Sequence, residues 1–360
     1  MSFTCGLVGL TACGKTTIYN AITAAGAASY DGSEMHSVII NVPDQRLQAL
    51  VKIYNPANTV SATMKVVDIP GLKADAKDKP GRSTRLLQHI KNANVLLHVV
   101  RCFTSSGAPS PGDTIDPVHD VETIDIEMMV ADSQTLQNKT ERLSKKVRSG
   151  DKDAIRQVAD CEKVKTALEQ GIPVRRQGLN NRELASVREC NLVSLKAVLY
   201  IANIGSPEDA GNGYIKTLQA IADADSSEVV TVCGRDEADI SQLKPADRQE
   251  FLDALGLKES SMVRLLGAAY RKLGLVNYFT VGEDEVHAWT CHRGDNAPIA
   301  AGNIHTDMEK GFIRMEVMAV SDLIGLGSEA AVIKAGKQRI EGKTYEVQEG
   351  DVVVVLFNKS

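Results

Sequence analysis

Hydrophobic positions fall into contrasting textures along the chain. Short, near-continuous apolar runs ending in glycine or polar turns occur at SFTCGLVG (2–9), TMKVVDIPG (63–71), NVLLHVVRCF (94–103), SLKAVLYIAN (194–203) and SSEVVTVCG (226–234). An unbroken apolar run of strand length suits a strand covered on both faces, as in parallel sheets. Polar, helix-like stretches separate these runs, so the pattern predicts βαβ units and an α/β fold with a parallel sheet.

From about Val121 to Arg188 the texture changes. Ile124, Met128 and Ala131 share a helical spacing, as do Leu136, Leu143 and Val147, and again Val158, Cys161, Val164 and Leu168. Gly150-Asp151 interrupts the periodicity, which predicts two long helices in an antiparallel hairpin whose stripes are packing faces. From about Tyr278 short strand candidates follow one another: FTVG, VHAWTC, FIRMEVM, YEVQ and VVVVLF, the mark of a small α+β domain. TSSGAPSPGDTIDP (104–117) is rich in Gly, Pro and Ser and reads as a loop. The expected division is a sheet domain from 1–125 and 190–277, a helical insert at 126–189, and a last domain at 278–360.

A length of 360 residues accommodates two or three such domains. A hydrophobic share of 43% and a charged share of 24% are ordinary for a globular protein. The formal net charge of −5 argues against indiscriminate nucleic-acid binding but allows a local basic face. Seven cysteines at 5, 13, 102, 161, 190, 233 and 291 form no CxxC pair, which fits reduced thiols better than a disulfide framework. No apolar run reaches the ~20 residues a membrane span needs, and MSFTCGLVG has no basic stretch ahead of its apolar residues. A cytoplasmic protein with no membrane partner is expected, with a monomer as the default.

The chemistry concentrates at GLTACGKT (9–16), which matches GxxxxGK[ST] between a strand and a helix-like run. Glycines at 9 and 14 let backbone N–H groups wrap phosphates, and the helix N-terminus adds partial positive charge. Gly9, Ala12, Cys13, Gly14, Lys15, Thr16 and Thr17 are the candidate phosphate cradle. Lys15 would reach the β- and γ-phosphates and Thr16 would place its hydroxyl on Mg²⁺. VVDIPG (66–71) ends an apolar strand with Asp68, a candidate for the Mg²⁺ sphere, and with Gly71, whose N–H could sense a γ-phosphate. An Asp capping the next helix is the plain alternative. IANIGS (201–206) offers Asn203, Ile204 and Ser206 to a purine base, and Cys233-Gly234 closes the neighbouring strand where it could lie against that base. Ordinary strand-to-loop turns are the alternative there.

Other residues read more plainly. His98 lies within VLLHVV and is expected to be a core residue. His287, His292 and His305 have no metal-ligand spacing. Cys13 lies at a helix N-terminus, where a thiol pKa is lowered and oxidation would block nucleotide binding; a small residue filling a tight turn is the competing reading. Lys139, Arg142, Lys145, Lys146, Arg148, Lys152, Arg156, Arg175 and Arg176 crowd the helical insert and could line a groove for RNA phosphates, or form a solvated face with the acids among them.

The P-loop, VVDIPGL, HVVRCF, VLYIANI and, above all, YFTVGEDEVHAWTCHRGDNAPIAAGNIHTDMEKGFIRMEV resemble the YchF (Obg-like ATPase) branch of the translation-factor-related GTPases. The likeness runs over nearly the whole chain and is most specific through DLIGLGSEAAVIKAGKQRIEGKTYEVQEGDVVVVLFN, which is similar to the family's TGS domain, a β-grasp-like module. The resemblance implies a P-loop fold with an inserted helical domain and a TGS-like domain at 278–360. It also implies ATP or GTP as ligand, Mg²⁺, slow hydrolysis, an ATP preference and association with ribosomal particles or rRNA. Lys15 would carry transition-state charge. Leu72 agrees with the hydrophobic residue that the family has after its DxxG glycine.

The chain departs from that pattern in four places. The family's NxxE reads Asn203-Ile204-Gly205-Ser206, and a serine lacks the carboxylate that accepts from an adenine amino group. The switch threonine is missing from SYDGSEMHSVIINVPD (29–44), with Ser33 or Ser37 as stand-ins. KADAKDKPGRST (73–84) replaces a glycine-rich stretch, and TSSGAPSPGDTID (104–116) has no histidine to position water. Three of the four changes fall where the γ-phosphate would be sensed or attacked. Binding is therefore the firmer expectation and turnover the weaker one.

Overall fold

The computed structural model describes residues 3–30, 37–70, 82–103, 115–257 and 259–358. Its strands are β1 (Phe3–Val8), β2 (Ala27–Tyr30), β3 (Ser37–Asn41), β4 (Asn58–Val60), β5 (Thr63–Asp68), β6 (Val95–Arg101) and β7 (Ala197–Ile204). They continue as β8 (Val229–Cys233), β9 (Leu275–Thr280), β10 (Glu285–His292), β11 (Phe312–Ala319), β12 (Arg339–Glu341) and β13 (Asp351–Phe357). Among the described residues they form two sheets, in the orders β2-β3-β5-β1-β6-β7-β8 and β12-β11-β13-β9-β10-β4.

The first sheet is α/β, as the apolar runs predict. β6 pairs in parallel with β1 and β7, and β7 in parallel with β8. Every residue of VLLHVV in β6 is buried, the pattern of a strand covered on both faces. Its Leu96 and Val100 share a core with Ile69, Tyr200 and Ala202. Parallel strands need crossovers, and the helices that supply or flank them are α1 (Lys15–Gly26), α3 (Arg82–Asn92), α4 (Pro117–Arg148), α5 (Lys152–Glu169), α6 (Asn181–Val187), α7 (Gly213–Ala224) and α8 (Gly234–Gln242), whereas α2 (Gln45–Tyr54) belongs to the other unit.

The helical hairpin forms, and it breaks at Gly150-Asp151. Gly150 takes φ +80°, and Asp151 caps α5 by accepting from the N–H groups of Asp153 and Ala154. α4 begins earlier than its apolar stripe suggests. Asp116 accepts from Val118 and His119 N–H, and Pro117 occupies the first turn, where its missing N–H costs nothing. The hairpin packs through Met129, Leu136, Cys161, Val164 and Leu168. Asp132, buried on α4, ties it to the entry of β7: it accepts from Val193 N–H (2.8 Å), Ser194 N–H (2.8 Å) and the Ser194 hydroxyl (2.6 Å).

The chain divides into two compact units, one of Thr4–Val38 with Lys65–Ala269, the other of Met1–Phe3 with Ile39–Met64 and Tyr270–Ser360. In the second unit β9 and β10 are antiparallel, β11 pairs antiparallel with β12 and β13, and β13 runs parallel to β9. β4 adds to this sheet's edge parallel to β10, with Asn58 opposite Glu285. Within residues 39–64, which cluster with the C-terminal chain, Asn58–Val60 thus pair with β10, while β3 and β5 at the segment's ends stay in the first sheet; the sequence pattern places the whole segment in the nucleotide domain. YEVQ (345–348) forms no strand, only a single bridge from Glu346 to Asn296. Asp351 turns this segment instead, accepting from the Tyr345 hydroxyl (2.7 Å) and Gln348 N–H (2.8 Å). Among the described residues no helix is long and apolar enough to cross a membrane.

Candidate nucleotide-binding site

β1 ends at Val8 and α1 begins at Lys15, so residues 9–14 form the turn between them. Gly9 has to be glycine because a Cβ there would lie 2.7 Å from the Val99 carbonyl of β6. Gly14 has φ +89° and Ala12 has φ +66°, both in the left-handed region. The loop therefore turns back on itself and delivers α1 with its free N–H groups facing the turn. Thr16 and Thr17 are exposed in the first helical turn.

Lys15 and Asp68 meet at this loop. Asp68 ends β5, next to β1 in the sheet, and its Oδ1 lies 2.5 Å from Lys15 Nζ. Both side chains are mostly buried, at 9% and 13% exposure, so the pair is little screened by water. A lysine, two hydroxyls and a carboxylate around a helix N-terminus can hold phosphate oxygens and an oxygen-seeking divalent cation. Among the described residues no group of three or more His, Cys, Asp or Glu could hold a metal by itself. Thr16 and Asp68 fit a cation that takes its remaining ligands from phosphate and water.

The base-side residues converge on the same loop, but not all as expected. Asn203, buried near the end of β7, donates from Nδ2 to the Cys13 carbonyl (2.9 Å) and accepts at Oδ1 from Gly234 N–H (3.2 Å). Both ends of its amide are bonded to protein, so it clamps the P-loop to the start of α8. Ile204 is buried in the sheet core and offers no side chain to a base. Cys233 is also buried, donates to the Gly205 carbonyl at 3.5 Å, and is pushed up to about 11 by burial. Gly234 packs 3.5 Å from Thr17 and Ile18, counted from the Cβ it lacks. Ser206 is half-buried, and its N–H donates to Asp209 Oδ2 (3.2 Å).

Several readings are corrected. Cys13 is buried and its thiol is pushed up to about 11 by burial, against the smaller opposing pull of Lys15, so it fills space and is no ready thiolate. Ser37 is buried at the start of β3 and so is not presented to solvent as a ligand. Lys139 donates to the Ser186 carbonyl (2.6 Å) and pairs with Glu189 (2.6 Å). Arg175 pairs with Asp125 (2.6 Å) and Asp225 (3.1 Å), and Arg176 with Asp225 (2.5 Å). These three cations are internal partners and leave the basic groove; Arg142, Lys145, Lys146, Arg148 and Lys152 stay exposed. His98 is buried and pushed down to about 3 by burial, then by Arg175, which makes it a neutral core residue as expected. Gly71, Leu72, Ser33, most of residues 73–84 and residues 104–114 lie outside the described residues.

Asp209 escaped the sequence reading. Its signal was present: Ser206-Pro-Glu-Asp209 has the S-x-x-[DE] spacing of a capping box opening the short 3-10 helix Pro207–Gly211.

Residues 4–139 match the family described as 50S ribosome-binding GTPase, and residues 275–358 match YchF-GTPase_C, described as a protein of unknown function. The chain is 39% identical over 365 residues to the ribosome-binding ATPase YchF of Bacillus subtilis (strain 168), covering 99% of this chain and 100% of that relative. It is 40% identical over 362 residues to the protein of the same name from Escherichia coli O157:H7, again covering 99% and 100%. Among solved structures, the Schizosaccharomyces pombe YchF GTPase superimposes with a TM-score of 0.86 at 30% identity, over 99% of this chain and 98% of that one.

Proposed function

This chain belongs to the YchF family, and from that premise we propose that it is a purine-nucleotide-binding P-loop ATPase, slow, Mg²⁺-dependent and open to ATP, GTP or both, that associates with ribosomes and regulates translation or the stress response. One observation carries the reading: Lys15 and Asp68, far apart in sequence, meet at 2.5 Å beside the N-terminus of α1. The N–H groups of residues 9–16 and the helix dipole take the α- and β-phosphates. Lys15 exchanges its carboxylate partner for phosphate oxygens and carries charge that grows as the γ-phosphoryl group leaves. Thr16, directly, and Asp68, through water, would hold Mg²⁺, which when bound neutralises charge on the β- and γ-phosphates. Gly71 keeps its proposed role as γ-phosphate sensor from its place in VVDIPG.

The relatives are named for ribosome binding, and the same partner is proposed here. Residues 278–360 are proposed to serve as a TGS-like β-grasp module, with Arg293, Lys310 and Arg314 exposed for rRNA phosphates. Residues 126–189 are proposed as the helical arm on a nucleotide domain of 1–125 and 190–277. A cytoplasmic, monomeric protein fits these roles.

The absence of histidine from TSSGAPSPGDTID favours a second reading, a nucleotide-responsive ribosome or RNA adaptor with negligible turnover. The test is equilibrium binding of fluorescent ATP and GTP analogues with Mg²⁺ to the wild type and to Lys15→Ala, alongside phosphate release and co-sedimentation with ribosomes. Binding and slow release that both vanish in Lys15→Ala support the ATPase. Tight binding with no release selects the adaptor. No binding of either nucleotide sinks both.

A further inference from the structure

The entry of β7 lies at the opposite edge of its sheet from the P-loop. β1, β6 and β7 run parallel, and the P-loop follows the exit of β1, whereas residues 191–196 lead into β7. There α6 and the short 3-10 turns Arg188–Cys190 and Val193–Leu195 enclose a cleft of about 460 Å³. Small-molecule sites span roughly 300–1,000 Å³. No P-loop residue lines this cleft.

Its walls are held without a ligand. Asp132 fixes the turn at 193–194 by accepting from two backbone N–H groups and the Ser194 hydroxyl. Asn180 and Glu183 close a capping box at the start of α6. Asn191 sits at φ +45°, and its N–H donates to the Arg188 carbonyl at 3.3 Å. A cleft fixed in this way loses little freedom when it is filled.

The lining has two parts. Leu184, Leu192 and Leu195 are its apolar part, and Leu195 is 36% exposed. Arg188, Lys196 and Asn191 are polar, and no acidic residue lines the cleft. The acids nearest in sequence are engaged elsewhere: Glu183 pairs with Lys163 (2.7 Å) and Glu189 with Lys139 (2.6 Å). Lys196 gives one of its three N–H donors to the Lys91 carbonyl (3.0 Å), and burial pushes its pKa down, as for a charge without a counter-ion. Among the described residues Arg188 has no carboxylate partner.

Two cations beside three leucines match one small anion. A nucleic-acid backbone is met by many cations in a stripe and has no use for an apolar floor. A guanidinium fork fits the two oxygens of a carboxylate. We propose that this cleft is a second ligand site, taking a small monoanionic carboxylate whose apolar body lies on Leu184, Leu192 and Leu195 while Arg188 and Lys196 meet its charge.

The experiment titrates the full chain with 1-naphthoate, with its neutral counterpart 1-naphthamide and with 1-naphthyl phosphate, by calorimetry and by backbone amide chemical shifts. Naphthoate is expected to bind at one site, about tenfold or more tighter than naphthamide, the range of a hydrogen bond to a charged group. The shifts should centre on residues 184–196. Arg188→Glu and Leu195→Asp, both at exposed positions, should each weaken naphthoate about tenfold or more and leave the thermal midpoint unchanged. Equal affinity for naphthoate and naphthamide, an Arg188→Glu protein that binds naphthoate as the wild type does, or no naphthoate binding overturns the site. Tighter binding of naphthyl phosphate than of naphthoate overturns the choice of a carboxylate.

Discussion

A Cβ on Gly14 would stand 2.0 Å from Nδ2 of Asn203, and that amide is in turn bonded to the Cys13 carbonyl and to Gly234 N–H. The tightest point of the P-loop is thus set by a residue 189 positions downstream (203 − 14). Gly14→Ala is expected to abolish nucleotide binding, because both the steric clash and the φ of +89° oppose it. Asn203→Ala should cost roughly 1–3 kcal/mol from its two lost hydrogen bonds. In the Asn203→Ala background the added cost of Gly14→Ala should shrink by about 1 kcal/mol or more. Urea unfolding of the four proteins checks this, and strict additivity would show that the contact carries no coupling.

Ala12 holds φ +66°, a conformation that costs an L-residue with a Cβ roughly 1–2 kcal/mol. Asparagine tolerates this region without glycine's entropy in the unfolded chain. Ala12→Asn is expected to raise stability by up to about 1 kcal/mol, roughly 1–2 °C in thermal midpoint for a chain of this length. An unchanged midpoint would mean that the loop is unstrained at this position.

His98 gives a pH dependence whose direction follows from burial. Its ordinary pKa of 6.5 is pushed down to about 3 in the folded chain. Below pH 6.5 the unfolded chain takes up a proton that the folded chain refuses until about pH 3. The contribution of neutral His98 is therefore complete above pH 6.5 and is lost as pH falls toward 3. His98→Leu should flatten the fall of stability across that window by up to about 1.4 kcal/mol per pH unit. Parallel acid-unfolding curves for the two proteins would refute this.

Asp132 holds three donors of the turn entering β7. Asp132→Ala strands all of them in a buried setting and should cost about 3 kcal/mol or more. Asp132→Asn keeps one acceptor oxygen and should cost less. Hydrogen exchange at the Val193 and Ser194 amides should quicken in Asp132→Ala; unchanged exchange would argue that the turn holds itself.

The P-loop and its sheet are legible in the sequence alone, because their signals are contiguous. GxxxxGK[ST] states a backbone path in eight residues, and VLLHVV states burial on both faces in six. Asp68 was legible for the same reason, as the polar end of an apolar strand. β4 was not, since a three-residue strand has too few positions to show alternation and draws its stability from β10. The base-side cluster was half legible: Asn203 and Gly234 were singled out, but as contacts to a base where the structure uses them on each other.

The basic run of the helical insert shows the same limit from the charge side. Its spacing places Lys139, Arg175 and Arg176 in one region, yet nothing local says that Glu189, Asp125 and Asp225 will meet them. What this sequence determined by itself are the features set within a few residues: turns that require glycine, buried strands, helix stripes and caps, and with them a phosphate-binding loop. Only the tertiary structure decided which polar groups were consumed in pairs and which stayed open. Steric and periodic preferences act between neighbours along the chain, whereas the partner of a buried charge or amide is whatever distant segment the packing brings within about 3 Å.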